Sequence, residues 1–118
     1  VIARTLAKRL GAKIVERRGG LGEDRWVISE FNSREKTIVI YLDTLELLSE
    51  LVLVNDLPFD PEHLDEIAIA HECFHMVSGS AHGPQGEEDA HKFARELLDL
   101  PASPELLNEL LSRQSGQR

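Results

Sequence analysis

The run His71-Glu72-Cys73-Phe74-His75 constrains this chain more than any other stretch, because two histidines at i and i+4 act together only on a helix. There they stand about 40° apart around the axis, so both imidazoles leave one face and can share a metal ion. Glu72 follows the first of them and stands beside the second, where its carboxylate can take a proton from a metal-activated water rather than bind the metal. A ligand-bearing helix also needs a packed back. Ile69, Cys73 and Met76 fall at i, i+4 and i+7 on the opposite face, Ala70 and Val77 widen that stripe, and Ile67 and Phe74 flank it. Asp60 as N-cap, Pro61 at the first position, acids in the first turns and Gly79 as the stop predict a helix over Asp60 to Gly79. The plainer alternative is a buried helix with two satisfied histidines.

A catalytic zinc site takes three protein ligands and keeps a position for water, so a third donor is needed. The candidates downstream are His82, Glu87, Glu88, Asp89 and His91. Gly86 to Leu100 has helical periodicity, with Ala90, Phe93, Ala94, Leu97 and Leu98 as its apolar stripe. On that wheel Glu87 and His91 share the arc of Ala94 and Leu98, whereas Glu88 and Asp89 point away. A carboxylate on an inward-facing side is costly without a partner, and a metal is such a partner; this selects Glu87. The competing role for Glu87 is to complement the helix dipole. His82 is the rival ligand, but a third histidine returning to the metal through a glycine turn reads H-E-x-x-H-x-x-G-x-x-H, and Gly79 and His82 each come one residue too late. Met76 lies inside the helix, so no downstream Met-turn exists either. His82 is then a loop residue or a donor at the edge of the site.

Ile67-Ala68-Ile69-Ala70-His71-Glu72-Cys73-Phe74-His75 followed by Glu87-x-x-Ala90-x-x-Phe93-Ala94-x-x-Leu97-Leu98 resembles the ImmA/IrrE-type metallopeptidases, a gluzincin-like group. The resemblance is best over Asp60 to Pro101. It implies zinc held by His71, His75 and Glu87, with Glu72 as general base. It also implies a cytoplasmic bacterial or phage-related protease that cuts a regulatory protein, often a DNA-binding repressor. The chain departs from the family pattern in Phe74, where glycine is usual, in His91, where asparagine is usual, in a stretched Leu97 to Pro101 ending and in a short gap between His75 and Glu87.

Composition narrows the partners. The 118 residues suit one domain spanning 1–118, and a net charge of -8 argues against a nucleic-acid or anionic-membrane partner, since phosphate backbones require a basic face. The lone cysteine, Cys73, rules out an internal disulfide and fits a reducing, cytoplasmic compartment; helical spacing turns it away from both histidines and into the core. No apolar run reaches membrane-span length and no basic-then-apolar leader opens the chain, although Val1 in place of Met is what missing or processed upstream residues would leave. Nothing sets an oligomeric state.

The remaining elements predict an α+β, zincin-like fold with a small antiparallel or mixed sheet of three strands. Ile2 to Leu10 reads as a helix with Ile2, Leu6 and Leu10 on its packed face, and Gly19 to Gly22 as a hairpin between strands Ala12 to Arg17 and Arg25 to Phe31. Thr37 to Leu42 reads as a third strand, Leu45 to Val54 as a helix or buried strand, with helix preferred, and Ser103 to Arg113 as a last helix. The expected activity is hydrolysis of a protein or peptide substrate by a zinc-activated water. Glu72 takes the proton and Tyr41, His82 or His91 steadies the oxyanion. The substrate is expected to lie extended along the Thr37 to Leu42 strand as an added edge. Two rival functions are a non-catalytic zinc-binding interaction module and a metal hydrolase of a small molecule.

Overall fold

The computed structural model describes residues 2–23, 25–79 and 83–116. Within them the order is α1 (Ile2–Arg9), β1 (Lys13–Arg17), β2 (Ser29–Asn32), β3 (Thr37–Tyr41), α2 (Leu42–Val54), α3 (Leu64–Ser78), α4 (Pro84–Leu97) and α5 (Glu105–Gly116), an α+β fold with a three-stranded mixed sheet. The sheet order is β1-β3-β2, with β1 parallel and β2 antiparallel to β3. This corrects two expectations. Gly19 to Gly22 does not join β1 and β2 as a hairpin, because those strands pair with opposite sides of β3 and only a local antiparallel bridge, Leu21 with Trp26, closes there; and the Thr37 to Leu42 segment supplies the central strand rather than an edge. Ile38, Val39 and Ile40 are all buried, the continuous apolar run of a strand covered on both faces.

α3 is the central helix, with Leu64, Ile67, Ala68, Ile69, Ala70 and Cys73 buried over most of its circumference. Full burial of side chains such as Ile69, Ile38, Ile40 and Leu48 contributes about 1.5–3 kcal/mol each. Val77 is exposed and does not widen the stripe. The helix also begins later than expected, at Leu64. Asp60 instead closes a turn, its Oδ1 accepting the Glu62 N–H at 3.0 Å and its Oδ2 lying 2.8 Å from His63 Nδ1. Gly79, at φ 76°, ends the helix where an L side chain would be strained.

The neighbours of α3 approach through small residues. Ala3 and Ala7 of α1, and Ala90 and Ala94 of α4, are fully buried at i, i+4 spacing, while Ile2 is exposed and Leu6 and Leu10 only flank the core. The packed face of α1 is thus turned from the leucine stripe, because Glu66 of α3 is buried against the helix start. Its carboxylate accepts the Ala3 N–H at 2.8 Å and the Arg4 N–H at 3.2 Å, satisfying two donors that a helix N-terminus leaves unpaired. Phe74 packs on Phe93 of α4 with ring centroids 5.7 Å apart in a tilted pair. The Leu45 to Val54 run is helical, with Leu45, Leu48 and Val52 inward. α5 buries Leu107, Leu110 and Leu111.

A loop tied to the start of α2 carries the chain from β1 to β2. Asp43 accepts the N–H groups of Gly19, Gly20 and Leu21 at 3.1–3.2 Å, and Thr44 Oγ donates to the Val27 carbonyl at 2.7 Å. A Cβ at Gly20 would overlap Thr44 Oγ1 and the Val27 carbonyl, so glycine is required there by close approach rather than by φ. Partial burial works to raise the Asp43 pKa, but the backbone N–H groups of Gly20, Leu21, Gly19 and Thr44 outweigh it and hold the carboxyl below its ordinary 3.8. A depressed folded-state pKa gives stability that is present above the unfolded value and lost as pH falls through the folded one. Asp43→Ala is therefore expected to cost about 1–2 kcal/mol at pH 7, a gap that narrows below pH 3.8. Urea unfolding of both proteins at several pH values checks this, and a gap independent of pH refutes it.

Candidate metal centre

Three side chains converge where α3 meets the first turn of α4. His71 and His75 stand one turn apart on α3 with their Nε2 atoms 3.1 Å apart. Pro84 opens α4, and Glu87 one turn on reaches both: Oε2 lies 3.0 Å from His71 Nε2 and Oε1 lies 2.9 Å from His75 Nε2. Two nitrogens each about 2.0–2.1 Å from one tetrahedral ion lie about 3.3 Å apart, so this triangle has the size of three ligands on one centre. All three donors lie within 4.8 Å of one another. Glu88 and Asp89 are exposed, as the helical wheel required.

The donor chemistry fits a metal as well as the distances do. Burial pushes the His71 imidazole down to about 4, against the pull of Glu87 and with the help of His91 and His75, so the ring is neutral at neutral pH, the form in which histidine ligates a metal. His71, His75 and Glu87 can hold a metal ion. Glu72 is not part of that group. It is 6% exposed, and burial pushes its carboxyl up to about 7; a hydrogen bond from Ser29 opposes the shift, and Glu87 and Glu30 add to it. A base poised near neutrality is what general-base work at that pH requires. Ser29 Oγ donates to Glu72 Oε2 at 2.7 Å.

His91 is buried one turn beyond Glu87, with its ring 4.9 Å from that of His71. Its Nε2 lies 3.1 Å from Asn108 Nδ2 of α5. An amide nitrogen only donates, so Nε2 accepts and the ring proton sits on Nδ1, which has no hydrogen-bond partner among the described residues. Burial also lowers the His91 pKa, which favours the neutral ring. Cys73 is fully buried and its thiol is pushed up to about 11 by burial, with Glu72 and Glu66 adding to the shift; it is a core residue, as expected, and no nucleophile.

A cavity of about 560 Å³ opens beside this cluster. Ser29, His71, Glu72, His75, Glu87 and His91 line its polar side, and Trp26, Ile28, Phe31, Leu64 and Leu107 its apolar side. Tyr41, expected among the oxyanion donors, does not line it. Antiparallel register places Ser29 opposite Ile40 and Phe31 opposite Ile38, so these four share the face toward α3. Tyr41 belongs to the other face with Val39, and its hydroxyl donates to Glu30 at 3.1 Å. His82 lies outside the described residues. Ser29 and Asn108 belong to the site and were absent from the sequence reading: their residue types are common, and only the β2 register and the docking of α5 bring them in.

No protein-family model matches the chain, and no curated protein matches it.

Proposed function

We propose that this chain is a zincin-like, zinc-dependent metallopeptidase, and one observation carries the reading: the His71-His75-Glu87 triangle with a buried, hydrogen-bonded Glu72 beside it. His71, His75 and Glu87 would hold the ion, which supplies Lewis acidity and an attacking water acidic enough, with a pKa of about 7, to ionise at neutral pH. Glu72 would accept a proton from the water as its oxygen bonds to the scissile carbonyl carbon, and would return it to the amine nitrogen as the C–N bond breaks. The likeness of His71-Glu72-x-x-His75 and Glu87-x-x-Ala90 to the ImmA/IrrE-type pattern supports the same assignment and extends it to a cytoplasmic enzyme acting on a regulatory protein.

The substrate path follows β2 rather than β3. β2 pairs on one side only among the described residues, and Ser29, Glu30 and Phe31 line the cavity, so an extended segment can add to its outer edge with side chains reaching toward the apolar lining. A volume of about 560 Å³ is also that of a small-molecule pocket, which favours a metal hydrolase of a small substrate as the second reading.

The test begins with metal analysis, which is expected to give one zinc per chain. Zinc-loaded Glu72→Gln is then used to capture protein substrates, and wild type is expected to cut the captured protein in a reaction that chelator stops and zinc restores. Chelator-insensitive cleavage, or a captured protein left intact, rejects the peptidase reading; hydrolysis confined to small amides or esters establishes the second.

A further inference from the structure

Glu72 has three rotatable side-chain torsions, yet a general base must present one oxygen within hydrogen-bond reach of the proton it removes. The helix alone does not fix that oxygen. What holds it comes from the sheet. Ser29 opens β2, and its backbone is set by pairing with Ile40 and by the bond from the Tyr41 N–H to the preceding Ile28 carbonyl at 3.0 Å. Strand alternation then turns the Ser29 side chain toward α3, where Oγ–H meets Glu72 Oε2 at 2.7 Å, the length of a strong hydrogen bond to a carboxylate. With Oε2 held, the plane of the carboxylate is fixed, and the position of Oε1 with it.

We propose that Ser29 is a positioning residue that aims the Glu72 carboxylate and so couples the edge strand β2 to the catalytic base, a role that rests on the metallopeptidase reading above. The coupling has a direct consequence. A segment that adds to the outer edge of β2 runs beside the strand whose first residue holds the base, so the substrate path and the base are held in register by one strand. A merely structural tie between sheet and helix would affect stability and leave turnover per folded molecule unchanged.

Full-length zinc-loaded wild type, Ser29→Ala and Ser29→Thr are compared on a cleaved peptide, with zinc content measured for each. Ser29→Ala is expected to lose about 10–100-fold in kcat, the usual cost of removing a partner that orients a metal-site group, with KM within about twofold and zinc unchanged. Ser29→Thr, which keeps the hydroxyl and suits a strand, is expected to restore most of the loss. Independently of activity, the Glu72 Cδ resonance of ¹³C-labelled protein at pH 9, assigned by its absence in Glu72→Gln, is expected to move in Ser29→Ala and return in Ser29→Thr. Wild-type kcat in Ser29→Ala overturns the proposal and leaves the peptidase reading standing. An unmoved Cδ resonance overturns it whatever the kinetics. Zinc-loaded wild type that cuts no peptide removes the peptidase reading and the catalytic role of Ser29 with it, and a shifted Cδ would then establish the hydrogen bond alone.

Discussion

Glu72→Gln is expected to lower kcat of the zinc-loaded protein by about 10²- to 10⁴-fold while metal content stays at one ion per chain. The amide has the shape of the carboxylate and can still accept the Ser29 hydroxyl through its carbonyl, so the site keeps its packing. It has no basicity with which to take the water's proton. Glu72 stands outside the group of metal-ligating atoms, which is why its loss should spare the ion. Paired measurements of metal content and single-turnover cleavage make the check: zinc lost together with activity would make Glu72 a ligand, and turnover retained would strip it of the role of base. Thermal stability should not fall, since an uncharged amide at a 6%-exposed position avoids the cost of burying an ionised carboxylate.

The parts of this centre that could be read from the chain are those set by local periodicity. His71, His75 and Glu87 each lie within a helix, so one angular step per residue was enough to place the histidines together and to separate Glu87 from Glu88 and Asp89. Strand pairing is not local. Ile38, Val39 and Ile40 carried the mark of a central strand, yet a glycine-rich link between two strand-like runs suggested a hairpin, and only the parallel pairing of β1 places β3 in the middle and leaves β2 as the edge near Glu72. Asp60 misled for a chemical reason, because the side chain that suits an N-cap suits a turn equally well. The packed face of α1 is hard to read from the chain because alanine is weak in any hydrophobic pattern, although Ala3 and Ala7 are the residues buried where α1 lies against α3. Tyr41 fell to parity: one residue along a strand changes the face.

Glu87→Ala is expected to weaken zinc binding by at least about 100-fold, beyond what loss of an outer hydrogen-bonding partner costs, whereas Glu88→Ala and Asp89→Ala stay near wild type. The contrast is geometric, since Glu87 alone of the three reaches both imidazoles. It is also separable from folding. The Glu87 side chain is 43% exposed, so the metal-free variant should unfold close to wild type. An ion that binds only the folded chain adds RT ln(1 + [L]/Kd), about 4 kcal/mol when free zinc is a thousandfold above Kd. Zinc should therefore raise Tm by many degrees in wild type, Glu88→Ala and Asp89→Ala and by far less in Glu87→Ala, with calorimetry at matched free zinc as the readout. A variant set in which Glu87→Ala keeps the full zinc-dependent rise while His82→Ala loses it would move the third ligand to His82.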